Sequence, residues 1–348
     1  RYLRLRFVTN RTQWYAPAGH EVGMCQFLLQ KPQRLPAGDV AADALVLTQD
    51  QNNLTVKTEA AVYTFYRRSG LLRSITVGGA EVLDRPMNLT VWRAPLDNDM
   101  FLCGDWRAKG MEDACLQCTA FTAEHADGDL VRLRYEGYLG GKTYYPLLRV
   151  SLCYEIRRAG GITVSADCTR LKELWFLPRL GFTLVTKPGF SRMGYFGMGP
   201  RESYEDKHHY TSVGLYTGDV RDNYEPYIFP QENSSHFDTK FSYVTTPAGC
   251  GLAFFAAGDT DAFSFNASHY SAEQLTALSH RHLLKEDART FVNLDYRMSG
   301  VGSASCGPEP GEQYLISETE MHFAFRIFPL RTAALPLFEE AKRDYSAN

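Results

Sequence analysis

Apolar and polar residues alternate through most of the chain. Leu148, Val150, Leu152, Tyr154 and Ile156 alternate with Arg149, Ser151, Cys153 and Glu155. Ile162, Val164 and Ala166 alternate with Thr163 and Ser165, and Met321, Phe323, Phe325 and Ile327 with His322, Ala324 and Arg326. Period two puts each apolar set on one face of a half-buried strand. Turn signals break the runs at Ser69-Gly70, Gly78-Gly79, Asp127-Gly128, Gly140-Gly141, Gly160-Gly161 and Gly249-Cys250-Gly251. Many strands joined by short turns predict an all-β, antiparallel sandwich or barrel. Helical signals are few: a capping box at Ser271 and Gln274, a turn or two over 105–110, and a short helix opening at Pro336 and running through Asp344.

The pattern also divides the chain. Residues 1–30 read as two strands, the first with Leu3, Leu5 and Phe7 on one face and Arg4 and Arg6 on the other. Residues 31–52 carry two prolines and little periodicity, and read as a linker. Residues 53–330 read as one large all-β unit, with 331–348 as a tail. A 30-residue piece buries no core of its own. It is therefore expected to be the end of a domain lying mostly upstream, or to lie against the large unit. The chain starts at Arg1 inside a strand pattern, as a piece of a longer protein would.

Composition narrows the classes. The 348 residues are 44% hydrophobic and 22% charged, and Lys+Arg 37 against Asp+Glu 40 leaves a formal charge of −3. That offers no basic field for a nucleic-acid backbone or an acidic membrane. No run of about 18 apolar residues is present to span a bilayer as a helix. Eight cysteines in a chain this long do not read as a disulfide framework. Cys115-x-x-Cys118 lacks a second pair for zinc, and thiols packed in strands are the simplest expectation. Asn-x-Ser/Thr sequons at Asn10, Asn53, Asn88, Asn233 and Asn266 matter only on a eukaryotic secretory route.

Five polar clusters carry candidate chemistry. Trp92 to Asp99 follows a strand and offers Arg93, Asp97, Asn98 and Asp99, a set that suits sugar hydroxyls, a cation, or a turn bonding its own backbone. Gly197 to Asp206 reads as a tight bend that brings Arg201 and Glu202 to a sheet edge, where an Arg–carboxylate pair would fix loops. Tyr227 to Asn233 offers rings for a sugar face and amides for hydroxyls, or core aromatics beside a turn. His269, His280 and His282 want a further ligand to hold a metal. Gly300 to Pro308 is a Gly/Ser-rich loop with Ser303, Ser305 and Cys306 at its tip. A retaining glycosidase needs two carboxyls about 5–5.5 Å apart, and the acids here are too scattered for sequence to pair.

Together these motifs resemble the C-terminal part of bacterial β-galactosidases of glycoside hydrolase family 2. The likeness rests on Trp92 through Asp99, Pro178-Arg179-Leu180-Gly181, Gly197 through Tyr204, Pro226 through Asn233, His269-Tyr270-Ser271, His280 through Leu284 and Gly300 through Pro308, in family order. Trp14, Ala18, Gly19 and His20 resemble the end of the preceding immunoglobulin-like domain. The resemblance implies a large antiparallel β-supersandwich similar to galactose mutarotases, after a short remnant of an immunoglobulin-like sandwich. It implies that the catalytic glutamates and the magnesium site, with sodium as a further ion, lie in a barrel upstream, so that this chain has no catalytic residue and no cofactor of its own.

The partners implied are the upstream domains, a β-galactoside and further copies in a homo-oligomer; the compartment stays open between bacterial cytoplasm and periplasm. The stretch 100–109 and the loop Gly302 to Pro308 map onto family loops that border the substrate pocket. Arg93, Asp97, Asn98, Asp99, Ser303, Ser305 and Cys306 are the pocket-lining candidates. Where some members place a tryptophan platform, this sequence has Ser305-Cys306-Gly307. A free-standing aldose 1-epimerase or a carbohydrate-binding module remains as an alternative on the same fold.

Overall fold

The computed structural model describes residues 1–31, 33, 35–36, 45–158, 161–331 and 337–344. Its largest sheet has nine antiparallel strands, in the order Cys115–Ala126, Leu130–Gly140, Leu148–Arg157, Gly161–Arg170, Glu320–Leu330, Gly251–Ala256, Phe241–Thr245, Arg192–Gly199 and Ser212–Asp219. A five-stranded antiparallel sheet lies against it, in the order His236–Thr239, Phe263–Ser268, Phe291–Met298, Arg179–Thr186 and Leu83–Thr90. The alternation predicted at Leu148, Ile162 and Met321 appears as three neighbouring strands in register, with Tyr154 opposite Val164 and Val164 opposite Phe325. Their apolar faces are shut from water, and Val150, Leu152, Ile162, Val164 and Phe323 have no exposure.

The core is where the two sheets meet. Phe182 of the five-stranded sheet lies 5.8 Å from Phe323 and 6.2 Å from Phe325, and Phe263 lies 5.4 Å from Phe325, centroid to centroid. Tilted and edge-on geometries are what ring quadrupoles favour. A second five-stranded sheet, Val46–Gln49, Asn53–Lys57, Ala61–Tyr66, Leu72–Val77 and Ala80–Glu81, extends the same core, with Phe65 at 5.0 Å from Tyr154. The fold is thus an antiparallel, nearly all-β sandwich, as the alternation predicted.

Residues 46–49, read from sequence as linker, form the first strand of that second sheet, and Leu45 is buried. Leu35–Pro36 pairs in parallel with Arg343–Asp344. The C-terminal helix covers Leu337–Glu340 rather than reaching Asp344, and Pro336 lies outside the described residues. Two other helices stand close to expectation. Cys103–Ala108 replaces the predicted 105–110, and Ala272–Ala277 is capped by Ser271, whose Oγ accepts from the Gln274 N–H at 3.1 Å.

Among the described residues, strands Tyr2–Val8 and Glu21–Leu28 pair only with each other. The face that carries Arg4 and Gln26 meets the edge of the nine-stranded sheet. The Gln26 amide donates to the Val213 carbonyl and accepts from the Val213 N–H, both at 2.8 Å, and Arg4 Nη2 donates to the same carbonyl at 3.1 Å. The apolar face points away: Leu3, Leu5 and Phe7 are 42%, 43% and 54% exposed.

Candidate functional site

The outer face of the first five-stranded sheet is polar. Asn266, Asn293, Thr183 and Asn88 stand in register across four strands, opposite to the face that carries Phe182, Leu184 and Leu294. Thr183 Oγ1 donates to Asn293 Oδ1 at 2.8 Å. A sheet buried on one side ordinarily presents polar side chains on the other.

Topology brings the predicted loops together. Strands Phe291–Met298, Arg179–Thr186 and Leu83–Thr90 are antiparallel neighbours. The segments after Thr90 and after Met298 and the one before Arg179 therefore meet at one end of the sheet. Arg93 is the clasp between them. Its side chain is fully buried, its Nε and Nη2 donate to Asp99 Oδ2 and Oδ1 at 3.0 and 2.8 Å, and Nη2 also donates to the Gly300 carbonyl at 3.2 Å. Nη1 donates to the carbonyls of Ser299 and Pro178. The planar guanidinium suits this fork of a carboxylate and several carbonyls.

Asn98 Nδ2 donates to the Val301 carbonyl at 2.6 Å, and the Asp97 N–H donates to Gln231 Oε1 at 3.2 Å. Asp206, which sequence did not single out, accepts the N–H groups of Val301 (2.9 Å) and Gly302 (2.8 Å). The loop is thus fixed up to Gly302. Beyond it Ser303 is half-buried, and Ser305 and Cys306 are exposed. Met100 and Phe101 are 62% and 73% exposed beside Asp99. Of the seven candidates, Arg93 and Asp99 lie in the foundation of the site, Asn98 bridges its two loops, and Asp97, Ser303, Ser305 and Cys306 reach its surface.

Two further clusters lie in the same region. Arg179 is buried between Glu232 and Asp295, with Nη2–Oε1 and Nε–Oδ1 approaches of 3.0 Å each. Burial, then the nearby Glu232 charge, pushes the Asp295 carboxyl up to about 7 against the pull of Arg179. Burial draws the Arg179 guanidinium down, but the two carboxylates outweigh it and raise it. Glu202 accepts from Lys207 Nζ at 2.7 Å, from the Tyr227 hydroxyl at 2.5 Å and from the Ser234 N–H at 2.9 Å. Burial and that carboxylate push Tyr227 up to about 12.

The Arg–carboxylate pair expected at Arg201 and Glu202 does not form. Arg201 is exposed, and Lys207 takes its place because the bend after Gly199 turns Glu202 inward. The signals that were missed, Asp206, Lys207 and Asp295, are single charges whose partners sit 5 to 116 residues away.

His236 is also buried. It stacks on Tyr195 at 3.8 Å, and its Nε2 meets Asn223 Oδ1 at 2.7 Å. Burial drives its imidazole down to about 3, so it is neutral near pH 7. His269 is nearly buried, with Nδ1 2.8 Å from the Arg289 carbonyl, whereas His280 and His282 are exposed with rings 5.5 Å apart. Among the described residues no three His, Cys, Asp or Glu side chains are placed to hold a metal ion, so those residues do not fit a magnesium site by themselves. All eight cysteines are free, and burial pushes the Cys168 thiol up to about 12.

The chain is similar to a beta-galactosidase of Actinobacillus pleuropneumoniae, 28% identical over 325 residues, covering 93% of this chain and 31% of that protein. It is also similar to a beta-galactosidase of Staphylococcus xylosus, 29% identical over 330 residues, covering 93% of this chain and 32% of that protein. The chain thus spans about a third of the length of the curated relatives it matches. Among solved structures, a galactose mutarotase-like protein from Lactobacillus casei superposes with a TM-score of 0.40 and 11% identity, covering 82% of this chain and all of that one. Residues 57–327 match the family described as Beta galactosidase small chain, and the chain belongs to that family.

Proposed function

We propose that the chain is the non-catalytic C-terminal portion of a β-galactosidase of glycoside hydrolase family 2, and that its loops border the substrate pocket. The whole enzyme would remove terminal, non-reducing β-D-galactose with retention, through two carboxyls about 5–5.5 Å apart in the upstream part. The observation that carries this reading is the clasp at Arg93. It fastens the segment Trp92–Asp99 to the loop that starts at Ser299, while Ser303, Ser305 and Cys306 stay at the surface. A rigid base under a short exposed tip is how a scaffold offers loops to a ligand held elsewhere.

The buried acids support a non-catalytic role. Glu202 is engaged by Lys207 and Tyr227, and Glu232 by Arg179. Both carboxylates are buried and bonded within the fold. The hairpin of residues 1–30, with its outward apolar face, is read as the last two strands of an immunoglobulin-like sandwich completed upstream. Magnesium, sodium and the contacts of a homo-oligomer belong in this reading to the full-length enzyme.

The test compares the full-length protein with residues 1–348 alone. The expected result is that the full-length protein hydrolyses lactose and an aryl β-galactoside, while the separate chain hydrolyses neither and does not interconvert galactose anomers. In the full-length protein, replacing Ser303, Ser305 and Cys306 together by Ala should raise KM for lactose severalfold and change the aryl substrate less, since in this reading the loop faces the leaving-group side of the pocket. Hydrolysis by the separate chain, or an unchanged KM for both substrates, would overturn the reading. Anomer interconversion by the chain would point to an epimerase instead.

A further inference from the structure

We infer that a cleft at one end of the second five-stranded sheet is a surface site for an anionic saccharide, separate from the loops clasped by Arg93. The cleft has a volume of about 650 Å³ and is lined chiefly by Asn52, Asn53, Tyr66, Arg68, Ser69 and Arg73, with Cys118 at its margin. None of these residues takes part in the site at Arg93.

Its two walls are turns held by their own bonds. Asp50 Oδ1 accepts the N–H groups of Asn52 and Asn53 at 2.7 and 2.8 Å, which draws its carboxyl below the ordinary range. Arg67 spans the walls, donating from Nη1 to the Asp50 carbonyl and from its own N–H to the Asn52 carbonyl. The second turn ends at Gly70, with φ of +64°, where a Cβ would come within 2.7 Å of the Tyr135 ring and 2.9 Å of the Phe121 ring. Only glycine lets the turn that carries Arg68 and Ser69 seat so closely on strand Cys115–Ala126.

The lining carries two cations, and the nearby Asp50 carboxylate is engaged by its own turn. Among the described residues neither Arg68 nor Arg73 pairs with a carboxylate, and the lining holds no acid. Arg73 is not loose: its guanidinium lies 5.4 Å over the Tyr66 ring, and its Nε donates to the Tyr66 hydroxyl at 3.1 Å. A guanidinium held by a ring keeps its fork of remaining donors for a carboxylate or phosphate. The volume exceeds what a lone oxyanion fills and falls in the range of small-molecule sites, about 300–1,000 Å³. The amides of Asn52 and Asn53 and the hydroxyl of Ser69 provide both donors and acceptors for ring hydroxyls. A polyol carrying one negative group matches that set.

The experiment is calorimetric titration of the full-length protein with three probes: a uronic acid disaccharide, a hexose phosphate and neutral lactose, the last with a catalytic-site inhibitor present. The expected result is that one acidic probe binds at least tenfold more tightly than lactose, that its affinity falls as salt is raised, and that Arg68→Ala with Arg73→Ala weakens it at least tenfold. Which acidic probe binds distinguishes a carboxylate from a phosphate. An unchanged unfolding midpoint and unchanged galactosidase rate in the double variant would show that the fold is intact; Arg73→Lys, which keeps the charge without the fork, should recover only part of the affinity. Equal affinity for lactose, no binding of either acid, or equal binding by the double variant would overturn the assignment.

Discussion

The N-terminal hairpin and the large sandwich are written in the same alternating code, and they end in opposite states. In strand Leu148–Arg157 every second residue is apolar and shut from water; in Tyr2–Val8 the apolar set Leu3, Leu5 and Phe7 is exposed, and on the other face Arg4 reaches the neighbouring sheet. The same contrast holds for ion pairs. Arg179 sits buried between two buried carboxylates, whereas Arg6 meets Glu21 at 2.5 Å with side chains 60% and 39% exposed. Alternation therefore reports which face wants cover, and not whether the chain at hand supplies it.

The largest effect should come from the ion pairs. Arg179→Ala leaves Glu232 and Asp295 buried without their cation, at a cost of about 3–5 kcal/mol, whereas Arg6→Ala should cost roughly 1 kcal/mol or less. Urea unfolding of both variants of the chain tests this, and similar losses would erase the distinction. Close behind is the apolar pair. Phe325→Ala opens a cavity between the sheets worth about 3–5 kcal/mol. Leu5→Ala should change the separate chain by about 0.5 kcal/mol or less, and the full-length protein by about 2–5 kcal/mol if upstream strands cover it. Equal small effects of Leu5→Ala in both would mean that nothing upstream seats on the hairpin.

The pH dependence of the sandwich is a smaller effect with a definite sign. His236 titrates near 6.5 when unfolded and is pushed down to about 3 when folded. Its contribution is full above pH 6.5 and is lost as pH falls towards 3, at up to about 1.4 kcal/mol per pH unit. Asp295, raised to about 7 from 3.8, acts in the other direction, giving stability below its unfolded value that fades as pH rises through 7. His236→Phe keeps a ring on Tyr195, gives up the bond to Asn223 Oδ1, and abolishes the His236 titration while leaving that of Asp295. Unfolding free energies of wild type and variant between pH 4 and 7 should converge on acidification, and parallel curves would refute the assignment.

Sequence went far in naming strands because period two is local information. Leu148, Ile162 and Met321 each begin an alternation that the sheet realises in adjacent strands. It went less far at 46–49, where a strand with exposed or half-buried residues carries no alternation. At the site, sequence marked the right segments and missed the bonds between them. Arg93 and Ser299 lie 206 residues apart and meet because the strands before them, Leu83–Thr90 and Phe291–Met298, flank the same strand, Arg179–Thr186. Glu202 gives its charge to Lys207 rather than Arg201, a choice set by which way the chain turns after Gly199.

The smallest expected effect bears on how the two regions are joined. Gln26 holds both backbone groups of Val213, as a neighbouring strand would, and it does so with a side chain. One such bond is worth about 0.5–1.5 kcal/mol net. Gln26→Ala should therefore loosen the hairpin without touching the sandwich. Amide exchange of residues 2–8 and 21–28 should speed up roughly two- to tenfold in the separate chain, while exchange in Leu148–Arg157 stays as it was. Arg4 also reaches the Val213 carbonyl, so Arg4→Ala should add to the effect rather than repeat it. Faster exchange in both regions would mean that hairpin and sandwich open as one unit. The hairpin would then be part of the large domain, and its outward apolar face would no longer point to a domain upstream.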